Sequence, residues 1–272
     1  MITFRKLGKL GRFGNQLFQY SGVRLYAELN GFNFSFPKWV GNNLFEKIEG
    51  PSTLKNALVK LLPTAQLDDI KSYTKTSKIK YYLKLQENLP QLTKLEDLYK
   101  NPRDNINLYG YLQDPLSLDL LKKHKGKVLN WFKFKYEIEG QIISMAEEFE
   151  PWVGVHIRRG DLVKRNITVS VSDIKKVLRE IVKDRNVYIA SDDPHMADQF
   201  KEFNVFIPEI PTNVSRFIFD FLMLKNAQTV IGCGSTFSWW AAYLGNKNDF
   251  YSPPLTHLWK DNSNIEINKM EI

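Results

Sequence analysis

Short apolar runs and amphipathic segments alternate along the second half of the chain. The run Trp152–Ile157 is apolar except for Gly154 and His156, which predicts a buried strand. The further expected strands are Val187–Ala190, Val205–Ile207 and Thr229–Ile231, and the expected helices are Ile138–Phe149, Ser172–Lys183, His195–Glu202, Arg216–Ala227 and Phe237–Leu244. Such strict alternation predicts a parallel sheet that is covered by helices on both faces.

The first half of the chain begins with the same kind of pattern. Ile2–Leu7 is expected to be a strand, and a glycine-containing loop, Gly8–Gly14, leads from it into a helix over about Asn15–Asn30. Phe32–Phe36 and Tyr109–Gln113 are expected to be strands, the latter entering a turn at Asp114 and Pro115, while Asn42–Pro102 has no clear pattern. The fold class predicted from both halves is α/β.

Length and composition set the limits of the architecture. The chain has 272 residues, of which 43% are hydrophobic and 25% are charged, so we expect a folded protein of two domains. The basic and aromatic stretch Lys122–Tyr136 is the expected boundary, which gives domains 1–135 and 136–272. No apolar run approaches the ~20 residues that span a bilayer, and Met1–Leu10 lacks a signal-peptide hydrophobic region. Cys233 is the only cysteine, so a cytoplasmic location is expected.

The chain is basic, with a net charge of +8 and a pI of about 9.3. Lysines are concentrated in the regions 55–84 and 122–135. Such an excess can attract nucleic acid, an anionic membrane surface or a negatively charged small substrate. No nucleic-acid-binding motif accompanies the lysines, so we expect no nucleic acid partner. Most of these lysines are expected to cover solvated helix faces, which leaves peripheral contact with an anionic membrane open.

Polar side chains follow three of the predicted strands. The carboxyl ends of parallel strands lie at one edge of a sheet, where ligands bind in open α/β proteins. Guanidinium groups suit phosphate oxygens, and a helix start that is capped by a serine offers amides to the same anion. A solvated turn with ion-paired arginines is the alternative at the first strand end. The residues concerned are Arg158 and Arg159, Asp192 and Asp193, and Ser235 and Thr236.

Other candidate residues have a structural and a functional interpretation. Asp220 is the only acid in an apolar helix, and it either faces solvent or accepts a hydrogen bond from a base or ribose hydroxyl. Trp239 and Trp240 are expected in the core. The chain has no Asp-x-Asp pair and no His, Cys or carboxylate cluster with metal-ligand spacing, so no metal cofactor is expected. A bound diphosphate would then be balanced by arginine and helix amides.

Several motifs together resemble those of the α-1,2-fucosyltransferases. The α-1,6-fucosyltransferases and protein O-fucosyltransferases share part of the pattern, whereas Gly234 stands where the α-1,2 family usually has asparagine. The resemblance implies a GT-B-like α/β fold, with two facing Rossmann-like domains built on parallel sheets. It also implies inverting, metal-independent transfer of L-fucose from GDP-fucose to a glycan hydroxyl. The motifs are GRFGNQLFQY at 11–20, GYLQ at 110–113, HIRRGD at 156–161, SDD at 191–193 and STFSWW at 235–240.

The resemblance assigns roles to individual residues. Domain 1–135 would bind the acceptor, and domain 136–272 would bind the nucleotide sugar. Arg158 matches the arginine that contacts the β-phosphate, and Asp161 is the candidate general base unless it only orients Arg158 or caps the loop. The expected donor-binding residues are Gly14, Asn15, Gln16, His156, Arg158, Arg159, Asp192, Asp193, Asp220, Ser235, Thr236 and Phe237.

Three other interpretations fit the same sequence. The chain could be a transferase on the same scaffold that uses another nucleotide sugar. It could be a non-catalytic module that binds a nucleotide or a glycan, or a polyanion-binding protein that uses its lysines. Arginine and aspartate at strand ends favour the transferase, whereas lysine-rich surface stretches alone would favour the polyanion-binding protein.

Overall fold

A computed structural model describes residues 1–48, 59, 62–67, 93–160, 168–247, 249–256 and 266–272. Asp161 and most of the lysine-rich region 55–84 lie outside these residues. The chain divides into two compact units, Met1–Lys133 and Phe134–Ile272. Each unit combines a sheet with helices, which is the α/β class expected from the alternating pattern.

The sheet of the first unit is parallel throughout its described strands, in the order β2-β1-β4-β3. The chain passes from β1 to a neighbour on one side and later adds β4 on the other, so a switch point lies between β1 and β4. The strands are β1 (Ile2–Thr3), β2 (Phe34–Ser35), β3 (Thr64–Gln66) and β4 (Ile106–Tyr109), and the helices are α1 (Phe13–Leu29), α2 (Gly41–Leu44), α3 (Leu95–Lys100), α4 (Pro115–Lys123) and α5 (Lys125–Trp131).

The start of α1 is fixed by side chains that return to the preceding loop. Gly11 has a φ of +73°, a conformation that favours glycine. The side-chain amide of Gln16 donates to the Gly11 carbonyl at 3.2 Å, and that of Gln19 donates to the Leu10 carbonyl at 3.0 Å. The glycine loop is therefore a defined turn that is tied to the first helical turns.

The second unit has a sheet in the order β6-β5-β7-β8-β9, in which only the β8–β9 pair of the described strands is antiparallel. The chain leaves β5 for β6 on one side and returns to β7 on the other. The strands are β5 (Trp152–Ile157), β6 (Asn186–Ser191), β7 (Thr229–Ile231), β8 (Phe250–Ser252) and β9 (Asn268–Lys269), and the helices are α6 (Tyr136–Ala146), α7 (Val171–Ile181), α8 (Arg216–Asn226) and α9 (Thr236–Leu244).

Strand β5 is buried along its whole length, as its apolar sequence predicts. One face carries Val153, Val155 and Ile157 in a core that α7 completes. On the other face, a Cβ at Gly154 would lie 3.0 Å from side-chain atoms of Leu224 and Ala227, so α8 packs closely on the strand. This packing on both faces holds the end of β5 in place.

Several predicted elements need correction. The strand observed near the expected Tyr109–Gln113 spans Ile106–Tyr109 instead, and Leu112 has a φ of +53°, which a strand does not allow. Asp114 and Pro115 begin helix α4 instead of a simple turn, as an aspartate cap followed by proline favours. The helix expected at His195–Glu202 is a 3₁₀ segment, Met196–Phe200. Val205 makes only an isolated parallel bridge to Val187.

Candidate functional site

The ends of β5 and β7 meet at the switch point of the second sheet. Val155 pairs with Ile231 near the ends of these parallel strands. The chain then continues into Arg158 after β5, and into Gly232–Ser235 after β7. Ligands of open α/β sheets bind at this place, outside the carboxyl ends of the strands where the strand order reverses. The switch point therefore brings two of the predicted polar segments together.

His156 lies on β5 at this edge and is buried. Its Nδ1 atom is 3.5 Å from the Cys233 sulfur, and its ring centre is 5.1 Å from that of Phe237. Burial, together with the smaller effect of the nearby positive charge of Arg158, lowers the pKa of His156 to about 4. The imidazole is therefore neutral near pH 7 and can donate from only one nitrogen.

Cys233 follows β7 and links the two strand ends. Its sulfur accepts hydrogen bonds from the backbone amides of Arg158 and Ser235. Burial raises the pKa of the thiol to about 11, so Cys233 is protonated at neutral pH. The sequence signalled this residue only through its position beside the expected phosphate-binding segment, and we did not predict a role for it.

The helix start after β7 is capped as expected. The Ser235 hydroxyl accepts a hydrogen bond from the Phe237 amide at 3.2 Å, and Thr236 is the first residue of α9. Gly234 has a φ of +71°, and its amide donates to the Ser252 hydroxyl at 3.1 Å. Trp239 and Trp240 are buried in α9, which confirms their predicted place in the core. A well-anchored helix thus begins beside His156 and Arg158.

Asp192 connects the end of β6 with the loop after β5. Its Oδ1 atom accepts hydrogen bonds from the backbone amides of Arg159, at 2.7 Å, and Gly160, at 3.3 Å. Arg158 and Arg159 are both half-buried. Asp192 is therefore a neighbour of the two predicted arginines, and the hydrogen bonds that join them run through the main chain.

Asp193 lies beside a pocket at the end of β6. Its Oδ1 atom accepts from the His195 amide at 3.0 Å, which closes a local turn. The pocket holds about 510 Å³ including its open mouth, and Asp193, Arg216, Phe206 and Phe219 contribute to its wall. This combination of apolar walls and a few polar groups is common in small-molecule sites.

Asp220 is neither solvent-facing nor unpartnered. It is buried in α8, where its Oδ1 atom accepts from the Tyr188 hydroxyl at 2.5 Å and from Arg216 Nε at 2.9 Å. Burial raises the pKa of Asp220, while the hydrogen bonds to Tyr188 and the charge of Arg216 oppose this shift. The spacing of Arg216 and Asp220 on one helix could have indicated this pair from the sequence.

The predicted residues of the first unit lie at the start of α1. Gly14 and Gln16 are buried, and Asn15 is half-buried. The Asn15 Oδ1 atom accepts from the Gln113 side-chain amide at 2.9 Å. Two motifs that are far apart in the sequence are thus joined at the switch point between β1 and β4.

The structure accordingly sorts the predicted site residues into groups. His156, Arg158, Ser235, Thr236 and Phe237 gather at the ends of β5 and β7, with Arg159, Asp192 and Asp193 next to them. Asp220 belongs to a separate cluster with Tyr188 and Arg216. We did not predict that Tyr188 and Arg216 would be its partners. Gly14, Asn15 and Gln16 belong to the other unit, and Asp161 lies outside the described residues.

Among the residues that the structure describes, no three His, Cys, Asp or Glu side chains are grouped so that they could hold a metal ion. None of the helices formed by the described residues is long and apolar enough to cross a membrane.

Comparison with known proteins gives a family match. A family model described as Glycosyl transferase family 11 matches residues 7–262. No curated protein sequence matches significantly. The family match covers most of the chain and includes every predicted site residue.

Solved structures extend this comparison. The fucosyltransferase NodZ from Bradyrhizobium is 16% identical, with a TM-score of 0.60 over 98% of either chain. NodZ α-1,6-fucosyltransferase soaked with GDP-fucose is 17% identical, with the same TM-score and coverage of 98% of each chain. POFUT1 in complex with GDP is 15% identical, with a TM-score of 0.53 over 90% of this chain and 94% of POFUT1. At these sequence identities, the similarity to the solved structures shows the fold alone. It confirms the predicted GT-B-like α/β class.

Proposed function

Because the chain belongs to glycosyl transferase family 11, and is therefore a glycosyltransferase, we propose that it transfers L-fucose from GDP-fucose to a hydroxyl group of a glycan acceptor. The printed descriptions of the fold neighbours support this donor, since NodZ was soaked with GDP-fucose and POFUT1 was crystallised with GDP and with GDP-fucose. The ordered motifs, from GRFGNQ at 11–16 to STFSWW at 235–240, favour an α-1,2 linkage.

The arrangement at the ends of β5 and β7 is the observation that carries the proposal. A neutral buried histidine, an arginine and a capped helix start converge there on the place where open α/β sheets bind ligands. The amides at the helix start and the helix dipole favour an anion, and the Arg158 guanidinium can form a forked contact with phosphate oxygens. A diphosphate leaving group matches these charges without a metal ion.

The proposed reaction is a displacement at the anomeric carbon of fucose. The bond between this carbon and the β-phosphate oxygen breaks, a bond to the acceptor oxygen forms on the opposite face, and the acceptor proton passes to a base or to water. Charge develops on the leaving diphosphate, so Arg158 and the start of α9 would stabilise the transition state more than the ground state. The oxocarbenium-like sugar needs only a weak base, for which Asp161 is the candidate.

Other site residues would bind the rest of the donor. The His156 imidazole is neutral, so it can donate to the nucleotide without adding charge. The pocket beside Asp193 and Arg216 has the mixed wall that a nucleoside requires. The motif GRFGNQ at 11–16 adds Asn15 and Gln16 to the proposed donor-binding residues.

The proposed donor is tested by thermal shift with a panel of nucleotides and nucleotide sugars in the presence of EDTA. GDP should raise the melting temperature, because a ligand at 100 times its Kd adds about 2.7 kcal/mol to the free energy of unfolding. GDP-fucose, as the complete donor, should raise the melting temperature further. Transfer to an acceptor should likewise survive EDTA. A shift with UDP and none with GDP would refute the donor, and dependence on manganese or magnesium would refute the proposed phosphate chemistry.

The role of Arg158 is tested by comparing Arg158→Ala with Arg158→Lys. Alanine should lower kcat by about 100-fold or more, because a group that stabilises transition-state charge contributes about 2.7–4 kcal/mol. Lysine restores the charge but not the fork, so it should recover only part of the loss. Melting temperature is measured on the same variants. A lower melting temperature with normal turnover would instead make Arg158 a structural ion-pair residue.

A further inference from the structure

The main chain that carries Arg158 is held from both sides by side chains of neighbouring strand ends. The amide of Arg158 donates to the Cys233 sulfur, which follows β7. The next two amides, of Arg159 and Gly160, both donate to one carboxylate oxygen of Asp192, which follows β6. Three consecutive amides at the proposed phosphate site are therefore already engaged by the protein.

This engagement limits how the loop can contact a ligand. Consecutive backbone amides can form an anion-binding nest, but amides that donate to Asp192 do not point to a phosphate at the same time. The loop would therefore contact the donor through the side chain of Arg158. The contribution of the Arg158 guanidinium to the reaction rate depends on its orientation, since a misplacement of 1 Å in a reacting complex can lower the rate by up to about 100-fold.

Asp192 is suited to hold this loop and poorly suited to contact a diphosphate directly. Its side chain carries a negative charge, which would repel the phosphates if it faced them without a compensating partner. The two hydrogen bonds from amides to a carboxylate are of the stronger, charge-assisted kind. The fit is close, because a Cβ at Gly160 would lie 2.6 Å from the other carboxylate oxygen of Asp192. A side chain at position 160 would therefore displace this oxygen from its place beside the loop.

We propose that Asp192 is a positioning residue, which acts on the nucleotide sugar only by fixing the backbone of Arg159 and Gly160 and thereby the guanidinium of Arg158. The effect of Asp192 on donor binding rests on the proposed function. The contact between Asp192 and the amides of Arg159 and Gly160 exists without a ligand. It changes the predicted role of Asp192 from binding the donor to orienting the residue that binds it.

The test compares Asp192→Asn and Asp192→Ala with Asp198→Ala, an exposed aspartate of the 3₁₀ segment that ion-pairs with Lys201. Amide hydrogen exchange of Arg159 and Gly160 is measured by NMR in the nucleotide-free protein. Exchange should accelerate in Asp192→Ala and remain close to wild type in Asp192→Asn, because asparagine keeps the accepting oxygen. It should not change in Asp198→Ala.

GDP affinity is then measured by calorimetry in the same variants and in the Arg158→Ala background. Asp192→Ala should weaken GDP binding by about tenfold in the wild-type background, which corresponds to about 1.4 kcal/mol, and asparagine should restore most of it. In the Arg158→Ala background the same substitution should have almost no further effect, because a residue that acts through Arg158 is not additive with it.

Three results would overturn the positioning role. They are unchanged exchange in Asp192→Ala, a loss of affinity in Asp192→Asn as large as in Asp192→Ala, and an equal loss with and without Arg158. The last two would indicate a direct contact between the Asp192 charge and the ligand. Failure of the wild-type protein to bind GDP would count against the proposed donor alone, since the exchange measurement would still decide whether Asp192 holds the loop.

Discussion

At the scale of single residues, burial sets the charge of the side chains around the proposed phosphate site. The pKa of His156 is lowered to about 4 and that of Cys233 is raised to about 11, both mainly by burial. Both side chains are therefore neutral at pH 7, although each has a polar partner. The positive charge of the site is left to the arginines after β5, which is what an anionic donor requires.

The lowered pKa of His156 predicts a specific pH dependence of stability. The unfolded chain binds the imidazole proton near the ordinary pKa of about 6.5, above the folded value of about 4, so the free energy of unfolding falls as the pH drops through this window. Protonation of His156 should lower the free energy of unfolding by about 3 kcal/mol over this pH range. Urea unfolding of the wild-type protein and of His156→Gln, measured from pH 7.5 to 4, checks this.

The two unfolding curves should converge on acidification, because the variant lacks the titrating group. Asp220 has a raised pKa and contributes with the opposite sign, but it is present in both proteins. Its effect therefore cancels in the difference between them. Curves that run parallel through the whole range would show that His156 does not titrate with a lowered pKa.

At the scale of elements, two helices of the second unit begin with a matching serine cap. Helices α7 and α9 each follow a serine whose hydroxyl accepts a hydrogen bond from a backbone amide of the first turn, at 3.0 Å for Ser170 and 3.2 Å for Ser235. Ser170 is exposed, whereas Ser235 lies beside the amide contacts of Cys233. The two caps are therefore matched in structure but differ in location.

Replacing each capping serine in turn separates its contribution to stability from its contribution to GDP binding. Ser170→Ala and Ser235→Ala should each lower the free energy of unfolding by about 1 kcal/mol, the usual value of an N-cap. Only Ser235→Ala should also weaken GDP binding, because its cap orders the amides that face the proposed diphosphate. Urea unfolding and calorimetry on both variants measure this. Equal GDP affinity in the two variants would show that the start of α9 does not bind the phosphates.

At the scale of the whole molecule, the net charge of +8 is spread over many lysines, whereas the proposed site depends on a few oriented groups. Lys122 and Lys123, in the last turn of α4, are exposed and stabilise the helix end through its dipole. Charges of this kind are screened over about 8–10 Å at physiological ionic strength. The overall charge should therefore influence encounter with an anionic substrate or surface more than the affinity of the site.

The double substitution Lys122→Gln and Lys123→Gln tests this separation. GDP affinity at 0.15 M salt should change by less than about twofold, because exposed lysines contribute little to a specific anion site across solvent. GDP affinity is measured by calorimetry in the double variant and in Arg158→Ala, which should lose most of its affinity for GDP. A large loss from the lysine substitutions would favour the polyanion-binding alternative.

The sequence by itself determined the α/β class and the location of the candidate site. Apolar runs such as Trp152–Ile157 alternate with amphipathic helices, and in a parallel sheet this order alone places His156, Arg158 and Ser235 at one edge. The capping role of Ser235 also followed from local chemistry, because a cap involves only residues of the same helix start. These features depend on contacts that are short in sequence or that the topology imposes.

Only the tertiary structure decided which partners the polar side chains around the site take. Asp192 holds the amides of Arg159 and Gly160, and Asp220 is shared between Tyr188 and Arg216. The sequence did not reveal that the Cys233 thiol accepts hydrogen bonds from two strand-end amides, nor that Leu112, beyond the end of β4, has a positive φ. Such contacts join residues that are distant in sequence, and they depend on strand register and loop conformation to within a fraction of an ångström, which a pattern of residue types does not contain.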